Sequence, residues 1–571
     1  MKMVFKYLKP YLGKMSVGLV IKIIGTLMDL AIPYLLTHII DNVIKKNDIY
    51  EVMLYGLLMI CCALIGFIGN VTANRMASKV SMSVTRDLRH DLFAKIESLS
   101  FKQMDEVTIP SLISRLSSDT YNVHQMIGMI QRMGVRAPIL LIGGTIITFT
   151  LNTKLALVLL ATLPLITIVT FVITKKGVPL YKEVQKSIDN LIRSVRENAS
   201  GARVIKALSK GDYEKEKFAK VNKEVFDIEI KSGSTMAKLN PTINFILNFG
   251  LVGVIIFGAY IVNEGLTKTG VIISFTSYFT IILNAMISIT RIFMVISRSA
   301  ASAARIKYVI DIEPDLEIEE IAKIDSQYHI EFNNVSFSYN KNLMNIDNMS
   351  FKLKRGEKLG IIGSTGSGKT TIINLLMRFY DVDQGDILIE GRNIKSIPNE
   401  ELKKMFGVVF QNDTIFNDSV YENISFGRNI PFDDVVRASK YACADEFISN
   451  LEFKYNTILS PKGTNISGGQ KQRLLIARSL AGKPDILILD DATSALDYKT
   501  DSLVRKAINE NFVNTTSIIV TQRISSIKFC DHILVIEEGD TIGYGTHEEL
   551  INTCDVYKEI YISQMGGDID E

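Results

Sequence analysis

The sequence predicts two domains of different class: an all-α membrane domain of six transmembrane helices, then an α/β domain. Three observations carry this. Six long apolar segments fill the first half, centred on residues 16–44, 52–74, 126–150, 155–175, 242–263 and 270–296. From about Tyr328 the pattern changes to short β runs alternating with helices. Within that second half a glycine-rich loop, residues 363–370 (GSTGSGKT), stands between an apolar strand and a helix. The boundaries read as 1–310 for the membrane domain, an acidic and polar linker at 311–327, and 328–571 for the α/β domain.

At 571 residues the chain exceeds one domain. Its 47% hydrophobic content is high for a soluble protein, and the excess lies in the first half. A net charge of +3 implies no nucleic-acid partner, and the scattered Lys and Arg read as solvated surface. Five cysteines (Cys61, Cys62, Cys443, Cys530 and Cys554) have neither metal nor disulfide spacing. The first apolar run is too long for the core of a cleavable leader, so none is expected.

Residues 1–12 are short, basic and aromatic, and read as an interfacial helix on the cytosolic face. The apolar segments that follow are set against the ~20 residues a helix needs to cross hydrocarbon. Connections at 45–51, 151–154 and 263–270 are very short. Those at 75–125 and 176–241 are long, helical in pattern and rich in cations, among them Arg75, Lys79, Arg86, Arg89, Lys182, Arg193 and Arg203. Positive charge marks the cytosolic side. A multi-pass protein of the cytoplasmic membrane is expected, with both termini and the α/β domain cytosolic and the short loops outside.

Charge inside the spans raises a separate question. Lys22 and Asp29 are seven apart, hence on one helix face and about 10 Å apart along it. Intramembrane ionisable groups face a cavity or a partner. The pair either helps to bind polar or cationic cargo or serves structure, with Lys22 free to snorkel. Arg132, Arg136 and Arg291 pose the same choice.

In the second half, the loop at 363–370 follows the strand at 358–362 and precedes a helix expected at 371–379. That is the context a phosphate-binding loop requires. Gly363, Ser364, Thr365, Gly366, Ser367 and Gly368 let backbone N–H groups curl round phosphates. Lys369 adds charge at the β/γ-phosphates, and Thr370 offers an oxygen to Mg²⁺. Thr371 continues into the helix, whose N-terminus favours the anion.

Further motifs appear in an order that resembles the ATP-binding cassette (ABC) family. Tyr339 resembles the aromatic that stacks on adenine; a strand-end core tyrosine is the other reading. Gln411 resembles the glutamine that senses Mg²⁺ and the attacking water. Ser467, Gly468, Gly469 and Gln470, after Ile466, resemble the ABC signature, expected to lead a helix at 471–480. Asp490 ends an apolar strand and suits Mg²⁺. Residues 494–497 resemble the loop that crosses the dimer interface. In the membrane half, residues 111–119 (SLISRLSSD) and 197–207 (ENASGARVIKA) are similar to stretches of exporters with long intracellular helices. Short turns near 99–105 and 211–216 are then either coupling helices or plain polar turns. The resemblance implies a half-transporter: an all-α six-helix membrane domain plus an α/β P-loop ABC ATPase domain. It also implies ATP and Mg²⁺ as cofactors, the lipid bilayer and amphiphilic cargo (drugs, lipids or peptides) as partners, and a dimer. In the family each ATP lies between one subunit's P-loop and the other's signature.

Two departures stand out. Asp491 occupies the position where the family has a glutamate that polarises water. Gln522 occupies the position of a histidine that reaches the γ-phosphate. Asp is one methylene shorter than Glu, and a displacement of about 1 Å can cost on the order of a hundredfold in rate. Gln cannot carry the imidazolium charge. Two changes on one chemical step, beside an intact signature, resemble the degenerate-site subunit of heterodimeric multidrug-type exporters. The expected partner is a second ABC half-transporter with the consensus Walker B Glu and switch His. A homodimeric exporter with slow ATPase, and an ATP-gated regulator or channel, are the alternatives.

Overall fold

The computed structural model describes residues 2–341 and 343–565. These divide into two compact units: Met1–Glu97 with Pro110–Ile312, and Ser98–Ile109 with Glu313–Glu571.

The first unit is helical. Its elements run α1 (Lys2–Leu8), α2 (Leu12–His38) and α3 (Ile49–Glu97). After α4 (Phe101–Val107), which groups with the other unit, come α5 (Ile109–Ser114), α6 (Thr120–Met133), α7 (Arg136–Leu151) and α8 (Thr153–Ser200). The rest are α9 (Ala202–Ala207), α10 (Gly211–Ala237), α11 (Leu239–Asn263) and α12 (Thr269–Ile310). Among the described residues six helical runs are long and apolar enough to cross a membrane, from 42 to 53 residues each. At 1.5 Å per residue even the shortest reaches about 63 Å, twice the ~30 Å of hydrocarbon. The surplus carries the Lys- and Arg-rich connections, as the charge pattern predicts.

Small residues set the closest packing. A Cβ on Gly25 would lie 3.3 Å from the Gly66 carbonyl, and one on Gly69 would lie 3.4 Å from that of Ile21. These glycines let α2 and α3 approach backbone to backbone, the usual device where lipid supplies no hydrophobic drive. The core joins Leu30, Leu155, Leu159, Ile166, Phe275, Tyr278, Phe279 and Ile282. Tyr278 satisfies its buried hydroxyl by donating to the Leu30 carbonyl at 2.7 Å. Further along, Arg305 Nε donates to Asp119 at 2.8 Å, and Asp119 is buried.

The turn predicted at 211–216 is instead the start of α10, and the chain reverses at 208–210. Asp212 and Glu214 fall in its first turn, where the helix dipole favours acids.

The second unit holds two sheets. Strands β1 (Ile330–Phe337), β2 (Ile346–Leu353), β4 (Gln384–Ile389) and β5 (Arg392–Asn393) form an antiparallel sheet in the order β2-β1-β4-β5. Strands β3 (Lys358–Gly363), β6 (Phe406–Val409), β7 (Ile486–Asp490), β8 (Thr516–Val520), β9 (His532–Glu537) and β10 (Asp540–Gly545) form the other, in the order β10-β9-β3-β8-β7-β6. All its pairings are parallel except that of β10. β3, buried on nearly every residue, lies between β8 and β9. Ligand loops in such sheets gather at the carboxyl ends of the strands.

The segment Ser98–Ile109 packs on this unit through α4. Ser100 caps α4 and also donates to Asp315 at 2.9 Å. Phe101 stacks on Phe379, with ring centres 4.2 Å apart. Tyr380 donates its hydroxyl proton to Asp105 at 2.7 Å. The linker beyond Ile312 carries no regular element but is strapped down. Arg378 donates to the Glu317 carbonyl at 2.6 Å, and the Ile324 N–H donates to Gly391 at 2.9 Å.

Candidate nucleotide-binding site

β3 ends where the glycine-rich loop begins, and the loop runs into the helix Lys369–Leu376. That helix starts two residues earlier than the sequence predicts, so Lys369 and Thr370 form its first turn. Gly366 and Gly368 hold φ of +88° and +102°, and a Cβ on Gly368 would lie 2.7 Å from the Asn345 carbonyl. Only glycine meets both demands.

The loop opens on a cavity of about 190 Å³ lined by Asn345, Thr365, Gly366, Gly368, Lys369, Thr370, Thr371, Gln411, Asp490, Asp491, Val520, Thr521 and Gln522. Gly363 and Ser364 adjoin it at a neighbouring hollow that Thr365 and Gln522 share. Ser367 is buried behind the loop. Lys369 Nζ donates to the carbonyls of Gly363 at 2.9 Å and Ser364 at 2.6 Å. Burial lowers its pKa, opposed by the charges of Asp490 and Asp491. An arriving polyphosphate offers this ammonium better acceptors than two carbonyls.

Asp490 closes β7 and is buried. Its carboxyl is pushed up to about 6, first by burial and then by Asp491, against a hydrogen bond from Thr370 and the charge of Lys369. Thr370 Oγ1 stands 3.5 Å from Asp490 Oδ2. Hydroxyl and carboxylate oxygens of this kind suit a hard divalent cation. Among the described residues no group of three or more His, Cys, Asp or Glu forms a metal cage. Two oxygens plus phosphate and water are the ligand set that Mg²⁺ takes in phosphoryl-transfer sites.

Asp491 sits in the left-handed region at φ +51°, a conformation aspartate tolerates. Its N–H donates to the Val520 carbonyl at 2.9 Å, which ties the end of β7 to the end of β8. Gln522 follows β8 and is exposed. Its carbonyl accepts from Gln564 Nε2 at 2.6 Å, and Gln564 Oε1 accepts from the Ile524 N–H at 2.9 Å. The helix Asp555–Met565 therefore braces the loop that carries Gln522. Sequence reasoning missed Asn345 and Gln564, since neither belongs to a motif.

Tyr339 does not line this cavity. It is 40% exposed and meets Phe337 and Tyr380 edge-on at 4.8 and 5.0 Å, while its hydroxyl accepts from Asn374 at 3.1 Å. A core tyrosine would be covered, so this ring is a fixed, solvent-facing plate.

Ser467, Gly468, Gly469 and Gln470 lie outside the cavity lining. Ser467 is the N-cap of the helix Gly468–Ala481, in a capping box with Gln470 at 3.2 and 2.9 Å. The cap starts this helix three residues before the predicted 471. Gln472 fixes its neighbour loop, donating to Ser494 Oγ at 2.9 Å and accepting from the Ala495 N–H at 2.8 Å.

Family comparisons agree with this geometry. Residues 15–286 match the model of the ABC transporter transmembrane region, and residues 346–494 match the ABC transporter model. An uncharacterized ABC transporter ATP-binding protein, YfiB of Bacillus subtilis (strain 168), is 34% identical over 99% of both chains. An ATP-dependent lipid A-core flippase of Desulfotalea psychrophila is 30% identical over 99% of both. A solved bacterial Atm1-family ABC exporter with ATP bound shares the fold, with a TM-score of 0.83, 24% identity and coverage of 98% of this chain and 99% of that one. A membrane region of six spans, an ATPase domain that implies ATP binding, and full-length relatives together place the chain in the ABC transporter family, as a multi-pass half-transporter of exporter fold with a cytosolic ATPase domain.

Proposed function

We propose that this chain is one subunit of a heterodimeric ATP-driven exporter of amphiphilic cargo. Its own P-loop holds Mg²⁺-ATP and hydrolyses it weakly. Its signature completes the competent site of a partner that carries Glu and His at the two altered positions. The observation that carries this reading is the convergence of Asp491 and Gln522 on the cavity of Lys369, Gln411 and Asp490. Both changes bear on the same phosphate, while Ser467 and Gly468 stay exposed and well capped for another chain's nucleotide. Ser467 caps the helix that offers its N-terminus to that nucleotide. Amphiphilic cargo is supported by the apolar spans and by the flippase relative, whose name specifies a lipid.

The roles proposed for the residues are these. Lys369 and the loop N–H groups bind phosphate, Thr370 and Asp490 hold Mg²⁺, Tyr339 stacks the base, and Gln411 senses the metal. Gln522 hydrogen-bonds the γ-phosphate through its amide N–H, and the shortened Asp491 positions the attacking water poorly. The test is ATPase activity of the purified chain alone and with its partner, each with Lys369→Ala in one subunit at a time. Lys369→Ala here is expected to spare most turnover of the pair, and the same change in the partner to abolish it. Strong hydrolysis by the chain alone overturns the asymmetric reading. A large rise in turnover of the chain alone with Asp491→Glu and Gln522→His identifies a slow homodimer instead.

A further inference from the structure

The charged residues of the spans do not form the arrangement that spacing alone allows. Lys22 and Asp29 share a face of α2 but do not pair. Asp29 is taken by Arg136 at the start of α7, with Nη2 to Oδ2 at 3.1 Å, and by Asn70 of α3 at 3.3 Å. Gly66 makes room for it: a Cβ there would lie 3.0 Å from Asp29 Oδ1. Lys22 is 2% exposed and donates to Asn74 Oδ1 at 3.0 Å. It forms no ion pair among the described residues, so none of its three N–H groups has a charged acceptor. Arg132, one turn before Arg136, spends its Nε on the Gly128 carbonyl at 3.1 Å and forms no ion pair among the described residues. Asn70 and Asn74 stand one turn apart on α3, so Lys22 and the Asp29–Arg136 pair meet the same stretch of that helix. The cluster therefore sets three cations against one carboxylate.

Two buried atoms mark the shortfall more finely. Arg136 Nε and Asn70 Oδ1 have no hydrogen-bond partner among the described residues. A buried donor left unpaired costs about 1–3 kcal/mol, more when charged, so an excess of cationic donors at one place is stable only with an acceptor to share. Asn70 Oδ1 adds an acceptor for a hydroxyl beside that anion. The side chain of Arg136 is 43% exposed, which opens the cluster to an incoming group. An intramembrane site of this composition repels a cationic headgroup and attracts an anionic one.

We propose that Lys22, Arg132 and Arg136, with Asn70 and Asn74, form a binding site for the phosphate or carboxylate of an anionic amphiphile, and that Asp29 is its built-in competitor. This rests on the reading of amphiphilic cargo and reverses the cationic preference that Lys22 and Asp29 alone allow. Asp29 holds Arg136 in place when the site is empty and yields it when an anion arrives.

The test is equilibrium binding of a fluorescently labelled phosphatidylglycerol to the full chain in detergent micelles, without nucleotide and without a partner. Displacement is measured with unlabelled phosphatidylglycerol, phosphatidylcholine and inorganic phosphate. The wild type is expected to prefer phosphatidylglycerol over phosphatidylcholine. Lys22→Met weakens that binding about tenfold, the loss of one charge-assisted hydrogen bond. Asp29→Asn frees Arg136 and strengthens it several-fold, a gain that misfolding cannot imitate. Displacement by lipid only assigns the site to a headgroup, and displacement by millimolar phosphate assigns it to anions from water; both support an anion site. No preference for the anionic lipid, or a loss with Asp29→Asn, overturns the proposal. Because no ATP is turned over, that failure is separate from failure of the exporter reading.

Discussion

Replacing Asp490 by Asn should make the nucleotide-free ATPase domain more stable at neutral pH while it removes the Mg²⁺ dependence of nucleotide binding. Asp490 is buried at the end of β7 next to Asp491, and its carboxyl is raised from 3.8 to about 6. A folded value above the unfolded one means that ionisation is penalised in the folded state. The penalty is complete above pH 6 and vanishes below about pH 4. At pH 7.5 it amounts to about 3 kcal/mol, and at pH 5 to roughly half of that, as ceilings for a group that edges an open cavity. Asn keeps an oxygen for Thr370 and drops the charge. At about 2–4 °C per kcal/mol, the variant should melt up to about 10 °C higher at pH 7.5, with the gap roughly halved at pH 5. The chain has no tryptophan, but Cys530 and Cys554 are buried in this domain. A dye that fluoresces on reacting with exposed thiols reports its melting, over a constant signal from the exposed Cys61. In parallel, Mg²⁺ should raise the melting point of the ATP-loaded wild type and leave that of the variant unmoved. A variant less stable at pH 7.5, or a gap that widens toward pH 5, refutes the reasoning.

Gln564→Ala should release the loop that carries Gln522 and weaken binding of a fluorescent ATP analogue about two- to tenfold, the worth of one hydrogen bond; unchanged affinity removes Gln564 from the site. Gly360→Ala places a Cβ 2.6 Å from that of Ile527 beneath β3 and should cost about 1–3 kcal/mol in the thiol-exposure melt of the ATPase domain. Arg305→Ala strands the buried Asp119 and should cost up to about 3–5 kcal/mol, whereas Asp119→Asn costs less because Arg305 is half exposed; limited proteolysis of the membrane unit ranks the two.

Features that chemistry confines to a few neighbouring residues were legible in the sequence. The phosphate loop needs glycine at special φ, a lysine and a hydroxyl within eight residues, and all of it can be read directly. The six spans follow from hydropathy and their orientation from Lys and Arg. What escaped depends on residues brought together from far apart. Gln564 reaches Gln522 across 42 residues, and Arg136 reaches Asp29 across 107. The spacing of Lys22 and Asp29 placed them on one face correctly but could not show that each had a different partner. Helix starts shifted by two or three residues wherever a cap or a glycine loop winds directly into the helix, as at Ser467 and Gly368. The grouping of Ser98–Ile109 with the ATPase unit has no signal in hydropathy.

That grouping has a consequence for how the protein is made. The ribosome emits Ser98–Ile109 long before the residues that hold it. Tyr380 follows Asp105 by 275 positions, and the linker carbonyl that Gln103 bonds follows by 210. Until the chain has grown past Phe379 and Tyr380, α4 has no surface to rest on. Contacts closed so late are slow and leave apolar rings such as Phe101 open to mispairing in the interval. A lesion in the ATPase domain that spoils the seat of α4 is therefore expected to reach the cell as a fault of membrane biogenesis, seen as premature turnover of the whole chain rather than as a stable transporter that has lost its motor.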